Sequence, residues 1–169
     1  RRSTRSALSS TLLLRASVGP PWARPWGNTA GPVTVVLNVI PSGASAAPNG
    51  SLDTPANGTT GVAGSVAVTG WALDDVGVTR VTVCRDVPGG GVPFDPNCNS
   101  NRVYIGDAVM IDGARPDVAA TFPGLPRNTR AGWGYLMLTN FLPNAGNGTF
   151  TLHAFAFDLD GHVAEIGTP

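Results

Sequence analysis

The chain has 169 residues, of which 42% are hydrophobic and 13% are charged, and its formal net charge at pH 7 is zero. This length fits one domain with a tail, or two very small domains. The charged fraction is about half of the usual share. No run of 18 or more apolar residues occurs, so no membrane span is predicted.

The charge is unevenly distributed along the chain. The first 52 residues contain five arginines and no acidic residue and carry +5, whereas the remainder contains six arginines and eleven acidic residues and carries −5. Three explanations fit a basic arm on an acidic body: a targeting segment, a nucleic-acid arm, or one half of a head-to-tail contact between copies. Nucleic acid is not expected as a partner, because the arm lacks a dense basic cluster and the body is acidic.

The N-terminal part is predicted to contain one strand between two irregular segments. Residues 1–32 form a basic, proline-rich arm, residues 33–40 form an isolated β-strand, and residues 41–52 form a linker. Because the backbone groups of a strand must be paired, this segment is a candidate donor strand. It either pairs with an edge of its own domain or adds to the sheet of a neighbouring copy. Its aliphatic residues are Val33, Val35, Val36, Leu37, Val39 and Ile40.

Residues 53–169 are predicted to form an all-β domain of about seven strands. Short runs of β-branched and aromatic residues alternate with clusters of Gly, Pro, Asn and Asp, as in a sandwich or a barrel. The stretch GWGYLMLTN is apolar on both faces, which predicts a strand buried between layers. The strand number fits an immunoglobulin-like β-sandwich, and the long irregular loops favour a sandwich over a barrel.

The two cysteines, Cys84 and Cys98, flank an irregular loop between two predicted strands. A disulfide bridge between them would close the mouth of a long hairpin and contribute roughly 3 kcal/mol by constraining the unfolded chain. Such a bridge in a lysine-free chain of low charge predicts an extracellular or cell-surface location.

Few residues suggest chemistry. Asp158 and Asp160 in DLDG resemble the start of a calcium loop, but the rest of that loop is missing, so they are weak candidates and no metal site is predicted. Asp74 and Asp75 are interpreted as turn caps. His153 lies in a strand without a nucleophile motif. No catalytic residue and no cofactor is predicted, and the chain is not expected to be an enzyme.

The aromatic residues have two interpretations, a sandwich core or a platform for stacking sugars. They are Trp71, Trp133, Tyr135, Phe150 and Phe155. The three N-x-[ST] sequons also have two interpretations. They are either glycosylated surface loops or turns, because each sequon has Gly in the middle. Their asparagines are Asn49, Asn57 and Asn147.

Several stretches resemble the Ig-like modules that recur in large secreted and cell-surface bacterial proteins. They are GSLDTPANGTTGVAGSVAVTGWALDD, VYIGDA, GARPDV and RAGWGYLMLTNFLPNAGNGTFTLHAFAFDLDGH, and the resemblance covers about residues 50–168. It implies a β-sandwich without catalytic residues, often in tandem with others. It also implies that PVTVVLNVIPSG is similar to the last strand of a preceding sandwich.

These observations predict a non-enzymatic structural subunit of an extracellular bacterial assembly, similar to a filament or fimbria. Copies would join head to tail through the N-terminal strand, as in heterologous contacts that do not close. The expected partners are other copies of the chain. The alternative is a carbohydrate-binding or adhesive accessory module of a larger secreted protein, with glycans as partners.

Overall fold

Two short strands lie near the N-terminus. The computed structural model describes residues 45–87 and 89–167 and, before them, the backbone of Thr11–Arg15 (β1) and Thr34–Asn38 (β2). The chain divides into two compact units, Arg1–Ala44 and Ser45–Pro169. In the first unit β1 and β2 form an antiparallel two-stranded sheet.

The prediction of an isolated strand at residues 33–40 is wrong. Every residue of β2 lies opposite a residue of β1, which falls within the arm predicted for residues 1–32. The sequence did not reveal β1 because leucine is not among the residues enriched in strands. Three successive aliphatic pairs match the two strands: Leu12 with Leu37, Leu13 with Val36, and Leu14 with Val35. Val33, Val39 and Ile40 lie outside the described residues.

Seven antiparallel strands form the second unit. They are Asn49–Thr54 (β3), Ser65–Leu73 (β4), Val78–Arg85 (β5), Val103–Ile111 (β6), Gly132–Leu138 (β7), Leu152–Asp158 (β8) and Val163–Glu165 (β9). A short helix, Pro116–Thr121 (α1), and the 3-10 turn Asn128–Arg130 connect β6 to β7. Two more 3-10 turns, Thr139–Phe141 and Pro143–Gly146, follow β7.

The strands are hydrogen bonded in the order β3-β4-β7-β6-β5-β8-β9. β6 changes partner along its length: its first part, from Val103 to Ala108, lies beside β5, and its end, from Val109 to Ile111, lies beside β7. This change of partner places β3, β4 and β7 in one layer and β5, β8 and β9 in the other, the arrangement of an Ig-like sandwich. The prediction of an all-β Ig-like fold with about seven strands is confirmed.

One hydrophobic core lies between the two layers. Val68 from β4, Val81 and Val83 from β5, and Ala154 from β8 are fully buried in it. Burial of a side chain of the size of valine contributes about 1.5–3 kcal/mol. Trp133 from β7 belongs to the same cluster and is the largest of its fully enclosed side chains.

β3 begins inside the segment predicted as a linker, residues 41–52. Asn49 lies opposite Leu73 of β4, and the side chain of Leu52 is buried in the core. The Asn-Gly pair indicates a turn in the sequence, but here Gly50 lies within a strand. A Cβ at Gly50 would collide with the carbonyl oxygen of Trp71, so the close approach of β4 explains the glycine. The sandwich therefore starts at Asn49 rather than at residue 53.

Candidate functional site

Cys84 and Cys98 form a disulfide bridge at the end of β5, as predicted. Their Cα atoms are 6.0 Å apart, and both residues are fully buried against Phe155 of β8. The bridge attaches the loop between β5 and β6 to the outer surface of the β5–β8 layer.

Polar contacts to Asn97 hold the same loop. Thr82 Oγ1 donates a hydrogen bond to the carbonyl oxygen of Asn97 at 2.6 Å, and Arg80 Nη1 donates to Asn97 Oδ1 at 3.0 Å. The guanidinium carbon of Arg80 also lies 4.0 Å from the centre of the Phe157 ring, at which distance a cation and an aromatic face attract each other. The loop is therefore fixed on β5 by more than the covalent bridge.

Four ionisable side chains form a closed ring next to the disulfide: Asp86, Arg102, His153 and Glu165. His153 Nδ1 lies 2.6 Å from Glu165 Oε1, and His153 Nε2 lies 3.0 Å from Asp86 Oδ1. Arg102 closes the ring, with Nε 3.0 Å from Asp86 Oδ1 and Nη1 3.2 Å from Glu165 Oε2. Each basic group thus contacts both carboxylates.

Burial and charge act in opposite directions on this ring. Partial burial raises the pKa of Asp86. The hydrogen bond from Arg102 and the contact with His153 lower it, and together they outweigh the effect of burial, so the pKa lies below the usual 3.8. His153 is buried, and its Nε2 approaches Asp86 at ion-pair distance without hydrogen-bond geometry. All four groups are engaged with one another, and they connect the end of β5 and the start of β6 to β8 and β9.

The aromatic residues are distributed over three buried clusters, and the cluster of Phe155 lies below the disulfide-bridged loop. Trp133 and Phe155 are 2% and 3% exposed, and Tyr135 and Phe150 pack against the main core. Trp71 lies in a smaller cluster, with its ring centre 5.8 Å from that of Phe122. The positions of Trp133, Tyr135 and Phe150 fit the interpretation as a sandwich core, and the five residues do not form an exposed row on which a sugar could stack.

The three sequon asparagines are all exposed. Asn57 lies in the loop between β3 and β4, and Asn147 lies between β7 and β8, where its Nδ2 donates to the carbonyl oxygen of Asn144 at 2.8 Å. Asn49 is the first residue of β3, so the interpretation of its sequon as a turn is wrong.

Asp158 and Asp160, the weak calcium candidates, have protein partners. Asp158 accepts a hydrogen bond from the backbone N–H of His162 at 2.8 Å and contacts its Nδ1 at 2.8 Å. Burial raises the pKa of Asp158, but the hydrogen bonds from His162 outweigh this effect, so the pKa lies below its usual value. Asp160 accepts from Ser45 Oγ at 2.8 Å. Asp158 thus closes the turn between β8 and β9, and within the described ranges no three His, Cys, Asp or Glu side chains form a group that could hold a metal ion.

The outer face of β6 and β7 carries exposed aliphatic side chains. Val109 and Leu136 are 67% and 65% exposed, and Ile111 and Leu138 are also exposed. The expectation that GWGYLMLTN is buried between layers is therefore wrong for one of its faces. The sequence alone could not show this, because an apolar pattern does not reveal whether a second layer covers that face. Within the described part of the chain, no further layer covers β7.

Comparison with known proteins agrees with this fold. Residues 48–95 match the family model of the bacterial Ig domain, a segment that contains β3, β4 and β5. Domains of this family are typically non-enzymatic and often occur in surface proteins. Residues 48–95 are thus similar to the Ig-like modules of bacterial surface proteins. None of the curated proteins matches the chain. Among the described residues, no helix has the length and hydrophobicity needed to cross a membrane.

Proposed function

We propose that this protein is a non-enzymatic structural subunit of an extracellular bacterial assembly, similar to a filament or fimbria. Consecutive copies join head to tail through the N-terminal strand pair β1–β2. The observation that carries the proposal is this pair, a two-stranded sheet that belongs to a compact unit of its own.

A two-stranded sheet of this size gains stability from a further strand. Each strand has five residues, and an isolated hairpin is at best marginally stable in water. Six of the ten residues are aliphatic: Leu12, Leu13, Leu14, Val35, Val36 and Leu37. Among the described strands β2 pairs with β1 alone, so its second edge can accept a further strand. Addition to the sheet of a neighbouring copy would provide both cover and pairing.

The charge distribution supports a head-to-tail arrangement. The first 52 residues carry +5 and the remainder carries −5, so the N-terminal part of one copy attracts the body of the next. A contact between two different surfaces of the same chain extends into an open filament when its rotation does not close a ring.

The disulfide supports an extracellular location. A buried bridge between Cys84 and Cys98 forms and persists in oxidising surroundings. The alternative role, sugar binding through the aromatic residues, has less support, since the side chains of Trp133 and Phe155 are buried.

The test is a proline substitution in the full chain. Leu13 is the central residue of β1 and lies opposite Val36. Leu13→Pro removes a backbone donor and disrupts the strand pair, whereas the control Leu13→Ile keeps an aliphatic residue with strong strand preference. Sedimentation velocity and electron microscopy should show polymers for the unmodified chain and for L13I, and monomers for L13P.

Two outcomes would contradict the proposal. The unmodified chain could remain monomeric over the whole accessible concentration range, or L13P could polymerise as readily as L13I. Limited proteolysis should leave the second unit intact in all three proteins, since Leu13 lies in the first unit and the main core lies in the second. Polymerisation should also weaken with added salt, because salt screens the attraction between exposed charges.

A further inference from the structure

We propose that the free edge of β7, formed by residues 135–138, receives strand β2 of a neighbouring copy. This inference rests on the proposed function and names the surface that the N-terminal strand pair joins. Among the described strands, residues 135–138 pair with β4 alone, because β6 pairs with β7 only from Val109 to Ile111. A strand edge without a partner can accept a further strand.

The backbone groups of Leu136 and Leu138 point to this free side. Thr139 N donates a hydrogen bond to the carbonyl oxygen of Gly64 at 2.9 Å, which is the side of β4. Backbone groups of successive residues in a strand point to opposite edges, so those of Leu138 and Leu136 are directed away from β4. They can therefore form a ladder with an added strand.

β6 and β7 diverge beside this edge and leave a gap between them. Residues 103–108 of β6 pair with β5 in the other layer. The side chain of Tyr135 reaches across to β6, where its Oη lies 3.5 Å from the carbonyl oxygen of Ile105. The gap has a volume of about 260 Å³, and its lining is apolar or aromatic except for Arg85. The edge thus lies next to apolar surface that an added strand would cover.

An added strand would meet apolar side chains on both of its faces. On the outer face of the layer, Leu136 and Leu138 are exposed. On the other face, Val103 and Met137 line the gap, and Phe141 in the segment after β7 is 81% exposed beside it. Because neighbouring residues of a strand point to opposite faces, the strand that fits this edge has aliphatic residues at successive positions.

The sequence of β2 meets this requirement. Val35, Val36 and Leu37 are three successive aliphatic residues, and among residues 33–40 only Thr34 and Asn38 are polar. Valine is enriched in strands, which favours β2 over the leucines of β1. Among the described strands β2 has β1 as its one partner, so its second edge is available. The basic N-terminal part and the acidic remainder of the chain also attract each other between copies.

The other free edges of the sheet are less suited to an aliphatic strand. β9 has three residues and ends at Glu165, and β3 carries Asp53 near its end. Short length and charged side chains protect edge strands from further pairing. Residues 65–68 of β4 have no described partner on the side of β3, but Ser65 and Ala67 offer little apolar surface there.

The experiment uses the full chain and a fluorescent peptide with blocked termini and the sequence of residues 31–41. Leu136→Pro removes the N–H group at the free edge and keeps the ladder with β4, since this group points away from β4. Leu136→Lys adds a charge that opposes strand addition. Leu159→Lys makes the same change at an exposed leucine in the turn between β8 and β9 and is the matched control.

Fluorescence anisotropy measures peptide binding below the concentration at which the chain polymerises, and sedimentation velocity measures polymerisation. The unmodified chain and L159K should bind the peptide and polymerise. L136P and L136K should bind the peptide about tenfold or more weakly and should polymerise only at higher concentration. The same peptide with Val36→Pro should not bind. Urea denaturation establishes that each variant is folded.

Failure of this inference differs from failure of the proposed function. If folded L136K and L136P polymerise and bind the peptide as L159K does, copies join at another edge, and this inference alone is overturned. Equal binding of the V36P peptide would also overturn it. If the chain stays monomeric but binds the peptide and loses this binding in L136K, the edge of β7 is supported and the proposed assembly is contradicted. A chain that neither polymerises nor binds the peptide would overturn both.

Discussion

His153 Nδ1 lies 2.6 Å from Glu165 Oε1, which connects β8 to the edge strand β9 through a buried imidazole. β9 has only three residues, so its backbone pairing with β8 is short. The contacts of Glu165 with His153 and Arg102 therefore hold β9 in place together with the ladder.

Removal of Glu165 should destabilise the sandwich. Glu165→Ala leaves the buried imidazole of His153 and the guanidinium of Arg102 with one carboxylate partner each. Hydrogen bonds to charged groups contribute about 1.5–3 kcal/mol, and a loss of this size is expected in the free energy of unfolding, measured by urea denaturation. The control is Asp112→Ala, an exposed carboxylate in the turn after β6. Equal stabilities of E165A and D112A would show that the ring contributes nothing.

Acid should weaken the sandwich, and Asp86 should account for part of the effect. Partial burial raises the pKa of Asp86, and Arg102 and His153 lower it more strongly, so the folded-state pKa is below the usual 3.8. A carboxyl with a lowered pKa contributes stability above its unfolded pKa, and this stability is lost as the pH falls through the folded-state pKa.

The measurement is the free energy of unfolding from pH 6 to pH 2 in the unmodified chain and in Asp86→Asn. D86N should be less stable than the unmodified chain near neutral pH, and its stability should fall less steeply on acidification. Two parallel pH profiles would contradict the interpretation that the ionised carboxylate of Asp86 stabilises the fold.

The sequence alone predicts the all-β Ig-like fold and the disulfide, because both depend on local patterns. Alternating residues mark the central strands, and the spacing of Cys84 and Cys98 matches a hairpin mouth. Asp74 was likewise interpreted as a turn cap, and its Oδ2 accepts hydrogen bonds from the backbone of Val76 and Gly77.

Features that depend on distant pairing could not be predicted. The three central residues of β1 are leucines, which by themselves do not indicate a strand, and they pair with the aliphatic residues of β2. The ring around His153 combines residues from four separate segments, and no spacing in the sequence indicates their proximity.

Loss of the disulfide should destabilise the fold without changing it. The double variant Cys84→Ala, Cys98→Ala removes a cross-link between two residues that are 14 positions apart in the sequence. Restriction of the unfolded chain by such a loop contributes about 3 kcal/mol, and the packing of both sulfurs against Phe155 adds to this. Urea denaturation should show this loss, and the unmodified protein under reducing conditions should show a similar one. An unchanged midpoint in both cases would mean that the loop is constrained equally well by the contacts of Asn97.

Gly70 should not tolerate a side chain. It lies in β4 opposite Leu52 of β3 and Trp133 of β7. A Cβ at this position would collide with the carbonyl oxygen of Ser51 and would lie 2.6 Å from Cζ2 of Trp133. Both neighbours are fixed, since one is backbone and the other is a buried indole. Insertion of extra volume into a packed core typically costs about 1–3 kcal/mol, and Gly70→Ala is expected at the upper end. Gly124→Ala is the matched control, because a Cβ there meets nothing within 4 Å. If urea denaturation showed the same stability for both variants, the close packing of β3, β4 and Trp133 around Gly70 would not limit the residue at this position.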